Sequence, residues 1–263
     1  MTGPRFSRYV ALGDSSTEGL DDPDGRGHYR GWADRLAEHL TRDNAEVQYA
    51  NLAVRGRKTR EILHQQLAPA LEMRPDLATA FCGTNDVIRK DFHLETVRAD
   101  VEELWTALRD SGATVLSFTL PNFSAVIPFA QRMMPRVEAM NEALRRTAEK
   151  TGVILVDFES EPLTSDPRLW SEDRLHANSL GHERIAAALA HALQLPDADL
   201  SWRSPLPPTQ PPSLAARAAS ELRWTHRHLL PWAWRRATGA SSGDGIQPKR
   251  PALVPVRATG DRA

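Results

Sequence analysis

Short, almost uninterrupted apolar runs alternate with longer stretches in which apolar side chains recur at helical spacing. "RYVALGD" (8–14), "VQYANLAV" (47–54), "LATAFCG" (77–83), "TVLSFTL" (114–120) and "VILVDFE" (153–159) predict five strands. They lack the polar alternation of a half-exposed antiparallel sheet, so both faces should be covered. Helical patterns near 29–41, 58–72, 93–110 and 131–150 separate them, and another, 179–194, follows the fifth strand. In "LETVRADVEELWTALRDSG" the positions Leu94, Val97, Val101, Leu104 and Leu108 form one apolar stripe, and Gly112 supplies a stop. This order predicts an α/β fold with a parallel sheet and helices on both faces.

The pattern ends near residue 200. "SWRSPLPPTQPPS" predicts an extended proline-rich linker over 201–213. Residues 214–237 read as a basic, Trp/Arg-rich helix that Pro231 should kink, and 238–263 as a disordered tail. Charge marks the same break. Residues 201–263 hold ten Lys/Arg and three Asp/Glu, a net of +7, leaving 33 − 10 = 23 basic and 34 − 3 = 31 acidic residues, a net of −8, before it. The 263 residues, 41% hydrophobic and 25% charged, suit a globular protein with a large core. The single cysteine, Cys82, lies in an apolar run and reads as a buried hydrophobe. Neither a signal peptide's apolar region nor a membrane span is evident, which predicts a cytoplasmic protein.

Candidate chemistry collects where predicted strands end, the edge at which open parallel sheets build their sites. Strand one ends at "GDSSTEG" (13–19), strand two runs into Gly56, strand three ends at "GTND" (83–86), and "DRLH" (173–176) follows strand five. "GDSSTEG" lacks the Lys-Ser/Thr pair of a phosphate loop and the Gly-x-Ser-x-Gly of a nucleophile elbow. It leaves a helix cap or a nucleophilic serine. A serine hydroxyl needs an adjacent base, itself oriented by a third group. Asp173 and His176, three apart before a helix, offer both. The Ser15 and Gly56 amides and the Asn85 side chain could aim three donors at an oxyanion, if the strand ends converge.

These four blocks resemble the SGNH hydrolases, the GDSL-type esterases and lipases. Ser15 in "GDSSTEG", Gly56 in "NLAVRG", Asn85 in "GTND" and His176 in "DRLH" occur in the family's order, over residues 8 to about 195. The resemblance implies a three-layer α/β/α sandwich of flavodoxin-like kind, with residues 1–200 as the catalytic domain. It implies Ser15 as nucleophile, His176 as base and then acid, Asp173 as its orienting carboxylate, and an oxyanion hole of Ser15, Gly56 and Asn85. No metal or cofactor is implied. Ser16 stands where leucine is usual, and Thr84 where a second glycine is common.

Other residues draw plainer readings. His39, His64 and His191 fall in helical patterns, and His182 on the helix after the candidate loop. His28 lies in a glycine-containing loop near the active edge. "DDPDG" (21–25) reads as a turn, lacking a calcium loop's spaced ligands. Asp14 and Asp86 read as loop-holding residues. The apolar loop 121–136, with Phe123, Val126, Ile127, Phe129, Met133 and Met134, is either packing against the sheet edge or an acyl-binding wall. Trp224, Trp232 and Trp234, interleaved with Arg223, Arg227, Arg235 and Arg236, suit a helix on an anionic membrane or one docked on the protein's own surface or on another subunit. The acidic body argues against nucleic acid as a partner. The expected activity is hydrolysis of a small-molecule or lipid ester through an acyl-serine. The alternative is a non-catalytic binding or membrane-adaptor protein on the same fold, working through its tail.

Overall fold

A computed structural model describes residues 5–256 apart from 26, 123, 125, 128–129, 211–212, 232 and 235–240. Five strands, β1 (Arg8–Leu12), β2 (Gln48–Asn51), β3 (Leu77–Ala80), β4 (Thr114–Phe118) and β5 (Ile154–Val156), pair in parallel in the order β5-β4-β3-β1-β2. Every residue of β3, and all but the first of β1 and β4, is buried, which is why these runs carry no polar alternation.

The helices are α1 (Ser15–Glu18), α2 (Gly31–Thr41), α3 (Thr59–Glu72), α4 (Thr84–Val87), α5 (Leu94–Asp110), α6 (Met134–Thr151), α7 (Ser179–Ala192) and α8 (Leu214–Trp224). The connection from β1 to β2 leaves in one direction, and those from β2 through β3 and β4 to β5 run in the other. Right-handed crossovers therefore put α2 on one face and α3, α5 and α6 on the other. Helix α2 packs with α7, and α5 packs between α3 and α6. The α/β sandwich expected from the sequence is the fold observed. Opposite-going connections leave adjacent strands β1 and β3, so their carboxyl ends flank a crevice.

The C-terminal region departs from expectation. Residues Arg250–Pro255, read as part of a disordered tail, form a sixth strand, β6, antiparallel to β2. The tail's own composition hides this. Strand β2 would otherwise be an edge with unpaired N–H and C=O groups, and β6 covers it. Lys249 holds the start of β6 through Nζ bonds to the Tyr29 and Arg30 carbonyls and an ion pair with Asp34. The boundary at 200 is also blurred. Trp202, placed in the linker, is buried and packs edge-on against Phe158 at 5.8 Å. Trp232 and 235–237 of the expected basic helix, and 238–240 and 257–263 of the expected tail, lie outside the described residues.

Candidate active site

After β1 the chain turns sharply at Gly13. Buried Gln66 of α3 clamps that residue, accepting from its N–H at 2.8 Å and donating to its carbonyl at 2.9 Å. Asp14 then caps the single turn α1 by accepting from the Ser16 N–H, so Ser15 opens the turn at the strand's carboxyl end. Both readings of "GDSSTEG" describe this segment: it caps a turn, and it presents a serine.

Ser15 Oγ lies 2.7 Å from His176 Nε2, and His176 Nδ1 lies 2.5 Å from Asp173 Oδ2. His176 of "DRLH" thus meets a serine 161 positions away, with Asp173 behind it. Asp173 also takes the Leu175 and His176 backbone N–H groups on Oδ1, both at 2.9 Å, which fixes the loop's turn. Burial alone would raise the Asp173 carboxyl, but the hydrogen bond and charge of His176 outweigh it and hold Asp173 well below the usual carboxylate range. An ionised carboxylate only accepts, so Nδ1 donates to Asp173 and neutral Nε2 accepts from the Ser15 hydroxyl. For His176 burial pulls downward, yet the bond and charge of Asp173, with Asp21 and Asp14 beyond, leave its pKa raised.

The remaining expected residues converge on the same place. Ser15, Gly56, Asn85, Asp173 and His176 all line one cavity of about 410 Å³. Gly56 follows Arg55, whose N–H and guanidinium both bind buried Glu18 of α1, tying the end of β2 to the serine turn. Gly56 has φ +77°, and a Cβ there would lie 2.7 Å from Ser241 Oγ. Asn85 is the second residue of α4, which Gly83 precedes, and its Nδ2 donates to Asp14 Oδ2 at 2.9 Å and to the Arg57 carbonyl at 3.0 Å. Asp14 is buried, which pushes its pKa up to about 6. Asp86 accepts from the Thr59 N–H and hydroxyl, joining α4 to α3, as a loop-holding residue should.

A second, narrower cavity of about 90 Å³ opens from the same serine and histidine. Phe81, Phe118, Phe158, Leu163, Leu169 and Trp202 make its walls predominantly apolar. Gly181 of α7 lets this wall close, since a Cβ there would sit 2.3 Å from the Leu169 carbonyl. Ser16 also lines it, and its Oγ accepts from Trp32 Nε1 at 3.3 Å, a partner that leucine would not provide.

Matches to the GDSL-like Lipase/Acylhydrolase family model run from residue 11 to residue 184. The chain belongs to this family. It is an ester hydrolase of the SGNH type. Solved structures share the fold of this GDSL-type hydrolase. An α/β hydrolase, LAE5, from the metagenome of Lake Arreo is 24% identical with a TM-score of 0.60, over 74% of this chain and 97% of its own. TesA is 19% identical at 0.61, over 72% and 98%. An acetyl xylan esterase from Geobacillus stearothermophilus is 18% identical at 0.59, over 72% and 95%. No curated protein matches the chain.

Several residues at the site escaped sequence reasoning. Asp21, read as part of a turn, brings a carboxylate oxygen to 4.0 Å from His176 Nδ1. Ser171 Oγ lies 2.6 Å from both Asp21 and Asp173 and so bridges the two carboxylates. Trp224, His228, Ser241 and Ser242 line the larger cavity from the C-terminal region. Ser171 and Asp21 lie close in sequence to Asp173 and Ser15 but carry no pattern that marks them, while Trp224, His228, Ser241 and Ser242 reach the site from a segment remote in sequence. Of the apolar loop, Ile127, Met133 and Met134 line the larger cavity while Val126 joins the core, so it both packs and lines. Phe123 and Phe129 lie outside the described residues. His182 is buried, accepting from the Trp32 N–H on Nδ1 and donating from Nε2 to the Leu20 carbonyl. His28 is exposed in the turn it forms with Asp24.

Proposed function

We propose that this GDSL-type hydrolase cleaves carboxylic esters through an acyl-serine intermediate on Ser15. The observation that carries this reading is the continuous hydrogen-bond chain Ser15–His176–Asp173 at the meeting point of the two cavities. His176 Nε2 takes the Ser15 proton as Oγ bonds to the ester carbonyl carbon, and the carbonyl π pair moves onto oxygen. Collapse of that oxyanion breaks the carbon–alkoxy bond, and the departing oxygen takes the proton from Nε2. Water then repeats the sequence: His176 accepts its proton, hydroxide adds to the acyl carbon, and the carbon–Oγ bond breaks with the proton returned to Ser15. Asp173 stays ionised and stabilises the imidazolium in both halves.

The Ser15 and Gly56 backbone amides and the Asn85 side chain serve as oxyanion donors. Asn85 keeps one N–H on Asp14 and turns the other from the Arg57 carbonyl toward the developing charge. The acyl group occupies the narrow cavity. Its volume, about 90 Å³, is below the roughly 150 Å³ of a cavity that admits benzene, which suits a chain of a few carbons. The alcohol portion, where polar groups reside, occupies the larger cavity beside Arg89, Arg227 and Ser242.

Hydrolysis of p-nitrophenyl acetate and butyrate by the wild type and by Ser15→Ala tests the reading. Loss of roughly 10³-fold or more in kcat is expected, with KM little changed. Equal rates in the two proteins would end it.

A further inference from the structure

Among the described residues, six large hydrophobic side chains are exposed, and four of them belong to one stretch of twenty-one residues. Leu214, Leu222, Leu230 and Trp234 are 83, 74, 56 and 72% exposed. Single exposed apolar side chains are ordinary, but a cluster along one helical segment marks a surface that meets something. The stretch begins with α8 and the wide helical turn Thr225–Leu229 that continues it, and Leu230 and Trp234 follow that turn. Its inner side is already used. Trp224 is buried against the "DRLH" loop, donating from Nε1 to the Asp173 carbonyl at 3.0 Å, and the Arg174 guanidinium lies over its ring. The exposed leucines are therefore not an unfinished contact with the protein's own body.

Charge says what the outer side suits. Arg217 and Arg223 are exposed along the same stretch, while Arg227 pairs with Glu172 and the one acidic residue, Glu221, with Arg174. A second copy docked face to face would set arginines against arginines around the twofold axis. An anionic lipid surface accepts both features at once: leucine and tryptophan enter the acyl boundary while the arginines meet headgroups. The inner side leads to the chemistry, since Trp224, Arg227, His228 and Leu229 line the larger cavity that contains Ser15 and His176.

We propose that residues 214–234 dock this hydrolase on an anionic membrane surface. Resting on the acyl-serine reading, its substrate is then a short-acyl ester of an amphiphilic alcohol held in the lipid layer, with that alcohol in the larger cavity. Docking sets the mouth of the cavity beside the headgroups, so the ester enters without crossing bulk water.

The test is flotation of the full chain with vesicles of phosphatidylcholine alone and of phosphatidylcholine mixed with phosphatidylglycerol. Binding at least roughly tenfold stronger to the anionic vesicles, and weakened by added salt, is expected. The double substitution Leu222→Ser with Leu230→Ser should reduce partitioning by roughly tenfold or more, and Arg223→Glu should remove the preference for anionic lipid. All of these side chains lie outside the cavities, so hydrolysis of p-nitrophenyl acetate in solution should be unchanged, which also reports a folded enzyme. No flotation of the wild type, or equal flotation of wild type and double variant, would overturn the proposal. So would a concentration-dependent dimer that Leu222→Ser with Leu230→Ser dissolves, because the face would then belong to a second copy. Loss of the acyl-serine reading would show instead as unimpaired hydrolysis by Ser15→Ala, whatever the flotation result.

Discussion

The indole Nε1 of Trp224 donates a 3.0 Å hydrogen bond to the backbone carbonyl of Asp173. A residue from the C-terminal helix therefore holds the loop that presents the candidate carboxylate and imidazole. The bond is reinforced from below, where the Arg174 guanidinium lies 4.7 Å from the centre of the same ring.

Trp224→Ala should lower kcat for a soluble short-chain ester by roughly tenfold, the cost of a loosened catalytic geometry. Trp224→Phe keeps a ring over Arg174 and loses the indole hydrogen bond, so it should fall between. Steady-state kinetics on the two variants checks the order. Full activity in Trp224→Ala would show that the loop is held by Asp173's own turn alone.

Gly56 sets a second expectation. Its φ of +77° and the 2.7 Å from a built Cβ to Ser241 Oγ mean that Gly56→Ala must shift the backbone or the Ser241 segment. Because the Gly56 amide is a proposed oxyanion donor, kcat should fall roughly 10²-fold. Pairing Gly56→Ala with Ser241→Gly and Ser242→Gly removes both close side-chain contacts but not the unfavourable φ, so partial rescue is expected.

The raised pKa of His176 fixes the direction of the acid limb. The base acts as neutral imidazole, so kcat/KM should fall as pH drops through a value above the ordinary histidine figure of about 6.5. Asp173 is one cause of the raised value, so Asp173→Asn should move the limb to lower pH while cutting the rate. A pH–rate profile on both proteins decides it.

His182 predicts a different pH effect, on stability. Burial pushes its pKa down to about 4, below its unfolded value. A group depressed in this way supports the fold above about pH 6.5, and that support is lost as pH falls toward the folded pKa. The shift corresponds to roughly 3 kcal/mol across that window. Thermal melts from pH 7 down to pH 4 should show a Tm decline, part of which is missing in His182→Gln.

Leu163 offers a test of the proposal that the acyl group occupies the narrow cavity. It lines the narrow pocket and is buried, so Leu163→Trp should fill space that the acyl chain needs. Butyrate hydrolysis should drop roughly tenfold relative to acetate, the scale of discrimination that one or two methylenes provide. An unchanged ratio would place the acyl chain in the larger cavity.

The central strands and their helices were legible because burial on both faces leaves its mark in each run's composition. Tyr9–Leu12 and Leu77–Ala80 are apolar for that reason, and helix α5 keeps its stripe because one side faces the sheet. The candidate residues were legible as short blocks at strand ends. Strand β6 was not, since its partner β2 lies some two hundred residues earlier and nothing local announces an edge to be covered. Trp202 was assigned to a linker because prolines follow it, although its ring lines the narrow cavity beside Phe158.

The sequence by itself determined the α/β class, because strand and helix leave their mark in local periodicity, and it offered the serine, glycine, asparagine and histidine blocks through their resemblance to the SGNH hydrolases. Only the tertiary structure decided that Ser15 Oγ meets His176 Nε2 at 2.7 Å, that Asp21 and Ser171 stand behind the imidazole, and that the C-terminal helix walls the larger cavity. The physical reason is chain separation. Contacts between residues 150 or more positions apart arise from how strands cross over and pack, and no window of sequence contains both partners.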